Sequence, residues 1–439
     1  MLLFLAACTE RNPSYCNSNT ECGSGSCDVA SHTCLGGAGG AGGTGGADGG
    51  AQCSGDNQCS TPTPRCVSGS CVQCVGPSDC TGGHICDTGT QMCRACTDDA
   101  TCDISGYPGG ACLAGGCVPA NMIAFASCWF AMCPGDGKRD TPYCNAQDAI
   151  DSGKPLVVLQ PGFCVYRSLR VSDKTLQLWG RNMGLFPSDQ ADGLTITGGN
   201  ANVDVHDLIV TGLANNMLTN GHSGVFVTSG ATARLSRVQV HDLPNTLYAG
   251  VRVDGAAAIT IDSGLVYRNQ GWGIYMHQTP SFTITNSFLL GNGTANSITG
   301  GTGGVRFDNG SGGQTNLFAF NTVAQNLSSV GLPAGVQCDT AVTLTDALLP
   351  DNAISAMCTA DHSVLPKVPA RDLAQIFVNV SAPQDSLTRC SGFHVNPNGR
   401  QADAVIGKGT PVASITVDVD GDPRATPPTV GADEPLPCQ

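Results

Sequence analysis

Two stretches of this chain, "ITIDSGLVYRN" at Ile259–Asn269 and "FTITNSFLLGN" at Phe282–Asn292, repeat one pattern 23 residues apart. Each begins with alternating apolar and polar residues, continues with an apolar cluster and ends in Asn. Lines of the same length also end at Asn326 and Asn352. A repeat of this size predicts a solenoid, because a single coil can bury its apolar face only against the next coil.

Between these lines lie strands that begin with Gly and alternate apolar with polar residues. They are "GVFVTS" at Gly224, "GVRVDG" at Gly250, "GIYMHQ" at Gly273, "GVRFDN" at Gly304 and "GVQCDT" at Gly335. Successive side chains of a strand point to opposite faces, so the apolar ones should face the interior. These are Val225, Val227, Val251, Val253, Ile274, Met276, Val305, Phe307, Val336 and Cys338. The coil is about 22–25 residues long, and longer spacings place insertions in one turn.

The recurring Asn has two physical explanations. Asn tolerates the left-handed backbone conformation that a sharp bend requires. Stacked identical amides can also hydrogen-bond from coil to coil. We therefore expect Asn269, Asn292, Asn326 and Asn352 to form a ladder at one corner of the solenoid.

This combination resembles the right-handed parallel β-helix of the pectate-lyase-like superfamily, over roughly residues 140 to 380. The segment "DAIDSG…VVLQPG" from Asp148 looks like the usual start of such domains, with Asn145 suited to cap a short helix over Ala146–Ser152. The segment "ITVDVDGDPRATPPTVGADE" (Ile415–Glu434) is similar to the closing segment of many secreted bacterial β-helix proteins. The resemblance implies an all-β fold, a right-handed parallel β-helix solenoid preceded by small disulfide-rich repeats and a Gly-rich linker.

Composition excludes one class of partner. The 439 residues carry a net charge of −14 and contain no basic run, whereas phosphate binding needs clustered Lys and Arg. We therefore expect no nucleic-acid partner.

The 25 cysteines indicate an exported protein, because a reduced cytosolic chain of this size rarely holds so many. Most fall into four short units that open with C-x5-C and place an acidic residue between those two cysteines. The units begin at Cys16, Cys53, Cys74 and Cys96, and they resemble the four-cysteine repeats of bacterial surface lipoproteins. Two CxxC pairs, Cys71/Cys74 and Cys93/Cys96, have zinc-ribbon spacing. They fall at junctions between units, and an exported chain favours disulfides over zinc.

The N-terminus "MLLFLAAC" resembles the lipobox of bacterial lipoproteins, which implies lipidation of Cys8. Removing Cys8 leaves 24 cysteines, an even number that can pair completely. The sequence thus predicts an exported outer-membrane lipoprotein at the bacterial cell surface, in contact with the membrane through its lipid alone. The predicted segments are a lipobox at 1–8, a cysteine-rich unit at 9–35, a Gly-rich linker at 36–51, three cysteine-rich repeats at 52–118 and the β-helix domain at 119–439.

Cysteines also cluster at the two ends of the predicted β-helix, where a solenoid exposes edges that need a cap. From proximity in the sequence we predict the disulfides Cys144–Cys164 and Cys338–Cys358.

The outward side chains of the Gly-led strands form the candidate functional site. The outward strip comprises one column of Phe226, Arg252, Tyr275, Arg306 and Gln337 and a second of Thr228, Asp254, His277, Asp308 and Asp339. In polysaccharide-active members of the superfamily that the sequence resembles, the substrate lies along such a face. Asp254, His277 and Asp308 are the candidate catalytic residues, for acid–base chemistry on a glycan. Phe226, Arg252, Tyr275, Arg306 and Asp339 are the candidate substrate-binding residues, since arginines can hold uronate carboxylates.

Three functions fit this strip. The leading one is non-catalytic contact with an extended polysaccharide or another cell's envelope glycan, because mixed polar residues also cover any soluble solenoid. The second is a polysaccharide lyase or glycoside hydrolase acting on acidic glycans, and the third is a purely structural surface spike. No cofactor is predicted. Ca²⁺ at the "DVDGD" loop, Asp418–Asp422, and a metal at the repeated His206-Asp207 and His241-Asp242 pairs are alternatives.

Overall fold

The computed structural model describes residues 26–28, 33–35, 53–127, 135–161, 166–187, 191–212, 222–244, 249–293, 303–308, 316–328, 334–363, 370–388 and 391–435. The chain divides into two compact units: Met1–Val75 with Asp87–Met92, and Gly76–Cys86 with Cys93–Gln439. Within the described residues, no helix is long and apolar enough to cross a membrane.

Short hairpin strands and one helix make up the cysteine-rich part. They are β1 (Ser26–Asp28), β2 (Thr33–Leu35), β3 (Arg65–Val67), β4 (Ser70–Val72), β5 (Ile85–Asp87), β6 (Met92–Arg94), helix α1 (Asp99–Ile104), β7 (Ala111–Leu113) and β8 (Gly116–Val118).

In the rest of the chain, strands are the main regular elements of the described residues. Its elements are β9 (Ile123–Ala126), helix α2 (Ala146–Asp151), β10 (Leu156–Leu159), β11 (Tyr166–Arg167), β12 (Leu169–Ser172), β13 (Thr175–Phe186), β14 (Leu194–Thr197), β15 (Asn202–Thr211), β16 (Val225–Thr228), β17 (Thr232–Ser236), β18 (Gln239–His241), β19 (Ala249–Asp254), β20 (Ala258–Asp262), β21 (Leu265–Tyr267), β22 (Trp272–His277), β23 (Ser281–Thr285), β24 (Phe288–Leu290), β25 (Val305–Asp308), β26 (Leu317–Ala319), β27 (Thr322–Ala324), β28 (Val336–Cys338), β29 (Val342–Thr345) and β30 (Cys358–Asp361). Short 3-10 turns lie at Asp56–Gln58, Pro77–Asp79, Ala120–Met122, Ala370–Gln375, Pro383–Asp385 and Ala402–Ala404.

These strands stack into a parallel β-helix, which confirms the predicted fold class. Sheet A contains β12, β14, β16, β19, β22, β25 and β28 in that order. Sheet B runs from β9 through β10, β13, β15, β17, β20, β23, β26 and β29 to β30. Sheet C runs from β11 through the second halves of β13 and β15 to β18, β21, β24 and β27. All pairings between these strands are parallel, so each coil lies directly on the one before it.

The core is the interior of the β-helix, and it follows the predicted alternation. The ten apolar side chains assigned to the interior from the Gly-led strands are all buried. The strands start with Gly because adjacent coils approach closely there. A Cβ added at Gly273 would lie 2.8 Å from the carbonyl oxygen of Gly304 on the next coil.

A ladder of buried asparagines joins successive coils, as predicted. The Nδ2 of Asn292 donates to Asn326 Oδ1 at 3.1 Å, and its Oδ1 accepts from Asn269 Nδ2 at 2.9 Å. Asn326 Nδ2 donates in turn to Asn352 Oδ1 at 2.7 Å. The expected left-handed backbone is displaced by one position at three of the four corners, because the residue before Asn269, Asn292 and Asn326 adopts it. Arg268, Gly291 and Gln325 have φ values of 51°, 59° and 58°.

Helix α2 begins where predicted, because the side chain of Asn145 accepts a hydrogen bond from the amide of Gln147 at 3.0 Å.

The last cysteine-rich unit docks onto the first coils of the β-helix. Arg181 forms a two-bonded ion pair with Asp99, at 2.7 and 2.8 Å, and Arg139 pairs with Asp103. The predicted boundary after residue 118 is therefore crossed by ion pairs within one compact unit.

Disulfides hold the cysteine-rich units together. The described bonds are Cys53–Cys66, Cys59–Cys71, Cys80–Cys93, Cys96–Cys112 and Cys102–Cys117. They join the first cysteine of a unit to the third and the second to the fourth. Because Cys71 and Cys93 are bonded within their own units, the zinc-ribbon alternative is wrong for these cysteines.

The segment from residue 370 to residue 435 folds back along the outside of sheet C. Leu373, Phe377 and Phe393 of this segment pack in one buried cluster with Leu265 and Phe288, which point outward from the sheet. Sheet C is therefore apolar on both faces at β21 and β24, whereas the outer face of sheet A carries polar side chains.

Candidate functional site

The register of sheet A aligns the outward strip across five coils. Phe226 lies opposite Arg252, Arg252 opposite Tyr275, Tyr275 opposite Arg306 and Arg306 opposite Gln337. In the second column, Asp254 lies opposite His277 and His277 opposite Asp308. The structure therefore brings the predicted residues together on one surface.

Arg252 is held at one end of the strip by two neighbours. Its Nη2 forms an ion pair with Asp254 on the same strand. Its guanidinium carbon lies 4.8 Å from the ring centroid of Phe226 on the preceding coil. The positive guanidinium is attracted to the ring because the face of an aromatic ring is negative. Asp254 is thus an ion-pair partner inside the strip.

Arg306 occupies the equivalent place two coils further along. Its Nη2 lies 2.9 Å from Asp339 Oδ2 and 3.7 Å from Asp308 Oδ2. The guanidinium carbon lies 5.6 Å from the ring centroid of Trp272 and 5.7 Å from that of Tyr275. Both arginines of the strip therefore face carboxylates of the protein itself.

Asp308 lies within hydrogen-bonding distance of two other side chains of the strip. The hydroxyl of Tyr275 donates to Asp308 Oδ2 at 2.8 Å, and His277 Nδ1 lies 3.3 Å from the same oxygen. Burial alone would raise the pKa of Asp308, but the hydrogen bonds from Tyr275 and His277 and the charge of Arg306 hold it below its ordinary value. Burial and the bond to this carboxylate raise the pKa of Tyr275 to about 12. Asp308 is thus ionised and Tyr275 neutral at physiological pH.

The same geometry bears on acid–base chemistry. Asp308 is the most buried carboxylate of the strip, and because its pKa is lowered it cannot act as a general acid near neutral pH. His277 is about one-third exposed. An imidazole that donates from Nδ1 to Asp308 has Nε2 left as its proton acceptor. If the strip performs proton transfer, His277 is its base and Asp308 its positioning residue.

Trp272 belongs to the site although the sequence analysis did not include it. Its ring stacks on Tyr275, with centroids 6.4 Å apart, and lies under Arg306. The available signal was its position directly before Gly273, beside the Gly-led strand. The other tryptophans of the chain lie far from Trp272 in the sequence, so together they did not suggest an aromatic binding surface.

The comparisons with known proteins add one solved structure. A search of solved structures finds the crystal structure of the pectate lyase Pel9A, which is 16% identical to this chain with a TM-score of 0.31. The match covers 71% of this chain and 96% of that one. No family model and no curated protein matches the chain. The β-helix assignment rests on the strand register described above.

The two His-Asp pairs do not form a shared site. His206 lies opposite Ser236 in sheet B, whereas His241 lies opposite Thr211 in sheet C, so the pairs are not at equivalent positions. His206 stacks on Trp179 with centroids 4.1 Å apart. The alternative of a metal site shared by the two pairs is therefore not supported by their positions.

Several predicted residues lie elsewhere. Cys338 and Cys358 are disulfide-bonded and link sheet A to the last strand of sheet B. Cys144 is disulfide-bonded, and Cys164 lies outside the described residues, as does Cys8.

Asp418 of the "DVDGD" loop uses Oδ1 to accept hydrogen bonds from the amides of Asp420 and Asp422, at 3.0 and 2.9 Å. Its carboxylate thus caps its own turn.

A second cluster of titratable groups lies in the C-terminal segment, where His394, Asp420 and Asp433 offer donor atoms close enough to hold a metal ion. His394 Nδ1 lies 2.9 Å from Asp433 and 3.5 Å from Asp420, and Nε2 donates to the carbonyl of Ser386 at 2.8 Å. Burial would lower the pKa of His394, but the two carboxylates raise it above its ordinary value. The imidazolium itself therefore balances the carboxylates.

Proposed function

We propose that this protein is an exported, lipid-anchored surface protein whose β-helix binds an extended glycan along the outward strip without cleaving it. The observation that carries the proposal is the register of sheet A, which aligns Arg252, Tyr275 and Arg306 on consecutive coils. The ligand is a polysaccharide or a cell-envelope glycan. The cysteine-rich units, the Gly-rich linker and the lipid on Cys8 hold this surface away from the membrane.

The spacing of the strip supports an extended ligand. Adjacent strands of a sheet lie about 4.8 Å apart, which is close to the length of one sugar residue in an extended chain. Side chains at the same position of successive coils are therefore separated by nearly the length of one sugar residue. A sugar ring can stack on Tyr275, and its hydroxyls can bond to the neighbouring arginines and carboxylates.

The disulfides support the exported location. Bonded pairs occur in the described cysteine-rich units and at the end of the β-helix, and such bonds persist in oxidising compartments. A membrane contact through lipid alone fits a chain whose described part contains no spanning helix.

A second candidate function is a polysaccharide lyase or glycoside hydrolase acting on acidic glycans. The arrangement of His277 and Asp308 favours it, because a carboxylate that orients an exposed imidazole is a recurring general-base device. In this reading His277 takes the proton, Asp308 positions it, and Arg252 lies beside the bound chain. Asp254 is engaged by Arg252 and has the weaker claim to a catalytic role.

The test uses the oxidised full-length protein and a panel of neutral and acidic polysaccharides, with and without Ca²⁺. Retention of the protein on each polymer and the appearance of new chain ends are both measured. We expect retention without cleavage, and retention should fall in His277→Ala and Asp308→Asn. The matched control is Asp204→Asn, which removes a half-buried carboxylate from sheet B and leaves the strip intact.

Each outcome separates the candidates. Cleavage that disappears in His277→Ala would make the protein an enzyme. Absence of both retention and cleavage across the panel would contradict the binding proposal and favour a structural spike.

A further inference from the structure

We infer that the outward strip selects uncharged glycans and excludes uronic-acid polymers, an inference that rests on the proposed binding function. The sequence alone pointed the other way, since Arg252 and Arg306 were expected to hold uronate carboxylates. The charge arrangement of the folded strip reverses that expectation.

Each arginine of the strip faces a carboxylate of the protein. Arg252 pairs with Asp254 on its own strand. Arg306 pairs with Asp339 on the next coil and lies within 3.7 Å of Asp308. A uronate that approached either guanidinium would compete with an anion already in place, whose side chain is fixed by the sheet.

The balance of charge within the strip is negative. Two arginines, Arg252 and Arg306, face three carboxylates, Asp254, Asp308 and Asp339. The pKa of Asp308 is lowered by its hydrogen bonds and by Arg306, so this carboxylate is charged at neutral pH, where a uronate is charged as well. The whole chain carries a net charge of −14, which adds a long-range repulsion of polyanions.

Neutral hydroxyls fit the same arrangement. A hydroxyl both donates and accepts hydrogen bonds, so it can donate to Asp339 and accept from Arg306 without separating them. The planar guanidinium of Arg306 is held over the rings of Trp272 and Tyr275, which presents its edge in a fixed orientation. Ion pairs between rigid neighbours thus form a row of paired donors and acceptors, which is the pattern that a polyhydroxylated chain requires.

The test compares three kinds of polymer on the oxidised full-length protein: uncharged hydroxyethyl cellulose, xyloglucan and galactomannan; anionic polygalacturonate and alginate; and cationic chitosan oligosaccharides. Retention is measured at low and high salt. We expect retention on at least one uncharged polymer that salt does not weaken, and no retention on the anionic ones. Stronger binding of polygalacturonate, alginate or chitosan would overturn the inference.

A gain-of-function variant gives a sharper test. The double variant Asp254→Asn with Asp339→Asn removes the charge that pairs with Arg252 and the nearer of the two charges beside Arg306, while keeping side-chain size. We expect binding of polygalacturonate to increase about tenfold, the change that 1.4 kcal/mol produces, and to become sensitive to salt. A double variant that still excludes polygalacturonate would contradict the proposed role of the ion pairs.

The matched control is Asp204→Asn with Asp403→Asn, which changes the net charge equally at positions outside the strip. It should leave polygalacturonate excluded, and a gain of binding in this control would show that net charge alone decides the selectivity. Circular dichroism and the thermal midpoint of each variant report whether the β-helix is intact. Failure of the wild-type protein to bind any polymer would instead contradict the proposed function itself.

Discussion

The hydroxyl of Tyr275 donates a 2.8 Å hydrogen bond to Asp308, which lies on the next coil of sheet A. This bond joins two of the aligned coils through their outward side chains and keeps Asp308 ionised. It also fixes the orientation of the Tyr275 ring, on which a sugar would stack.

Tyr275→Phe tests that bond. The variant keeps the ring but removes the donor, so Asp308 loses a partner and the strip loses one oriented polar group. We expect glycan retention to weaken about tenfold, because one hydrogen bond contributes about 1 kcal/mol. Retention is measured on the polymer that the wild-type protein binds. Tyr107→Phe in the cysteine-rich part is the control, and equal retention in both variants would exclude a role for the Tyr275 hydroxyl.

The asparagine ladder should carry much of the stability of the β-helix. Asn292 is fully buried, and its amide bonds to Asn269, Asn326 and the carbonyl of Val266. Asn292→Leu removes these three buried hydrogen bonds at once, so we expect a loss of about 3 kcal/mol in the free energy of unfolding. Denaturant unfolding measures it. The exposed Asn200→Ala serves as control, and an unchanged midpoint in Asn292→Leu would contradict the structural role of the ladder.

Arg424 should hold the C-terminal segment against the β-helix. Its guanidinium carbon lies 3.9 Å from the ring centroid of Phe320, and it bonds to Asn286 at 2.8 Å and to Glu434 at 3.1 Å. Arg424→Met leaves Glu434 buried without its cation, which should destabilise this contact by about 3–5 kcal/mol. Hydrogen exchange over residues 370–435 measures the loss of protection.

The control for this variant is Arg400→Met, because Arg400 is exposed in the same segment. Protection should remain at the wild-type level in that control. Wild-type protection in Arg424→Met would show that the apolar contacts with sheet C suffice to hold the segment.

The stability of the protein should decrease as the pH rises above mildly acidic values. Burial, together with the negative charges of Asp433 and Asp420, raises the pKa of Asp418 to about 7 from 3.8. A carboxyl with a raised pKa in the folded state contributes stability that is lost as the pH rises through that value. The raised pKa of His394 acts in the same direction above its ordinary value of 6.5. Arg424, Asp422 and Glu434 are the other charged groups of this cluster.

At low pH the stability of the protein should decrease because of carboxylates with a lowered pKa, such as Asp308. Their contribution to stability is lost as the pH falls below about 4. We therefore expect a higher thermal midpoint near pH 5 than near pH 8. Asp418→Asn should flatten this decrease, which corresponds to about 2–3 kcal/mol between pH 5 and the pKa of about 7, whereas the exposed Asp403→Asn should leave it unchanged. A midpoint that rises from pH 5 to pH 8 would contradict the assignment.

Periodicity in the sequence predicted the core and the strip because both depend on local geometry. Alternation along a strand decides which side chains face inward, and the equal length of the repeats decides which residues meet on adjacent coils. The placement of Val253 inside and of Arg252 outside follows from these two rules. The position of the left-handed residue was missed by one, because an asparagine at a corner has two physical explanations and the sequence does not distinguish them.

The contacts that decide the chemistry of the strip could not be predicted from the periodicity of the sequence. The sequence placed Arg252 and Arg306 on one face, but it could not show that carboxylates of the protein occupy both. Side-chain rotamers and the twist between coils decide whether Arg306 reaches Asp308, Asp339 or solvent.

The sequence by itself determined the parallel β-helix, its buried columns and the order of side chains along sheet A, because a repeated coil imposes the same geometry on every turn. Only the tertiary structure decided that the C-terminal segment packs on the outer face of sheet C. Arg424 and Asn286 are 138 residues apart in the chain, and no local pattern encodes a contact of that range. It forms because burial of apolar side chains on the outer face of sheet C, such as Leu265 and Phe288, is stabilising, whereas the charged side chains on the outer face of sheet A would be costly to bury under an apolar segment.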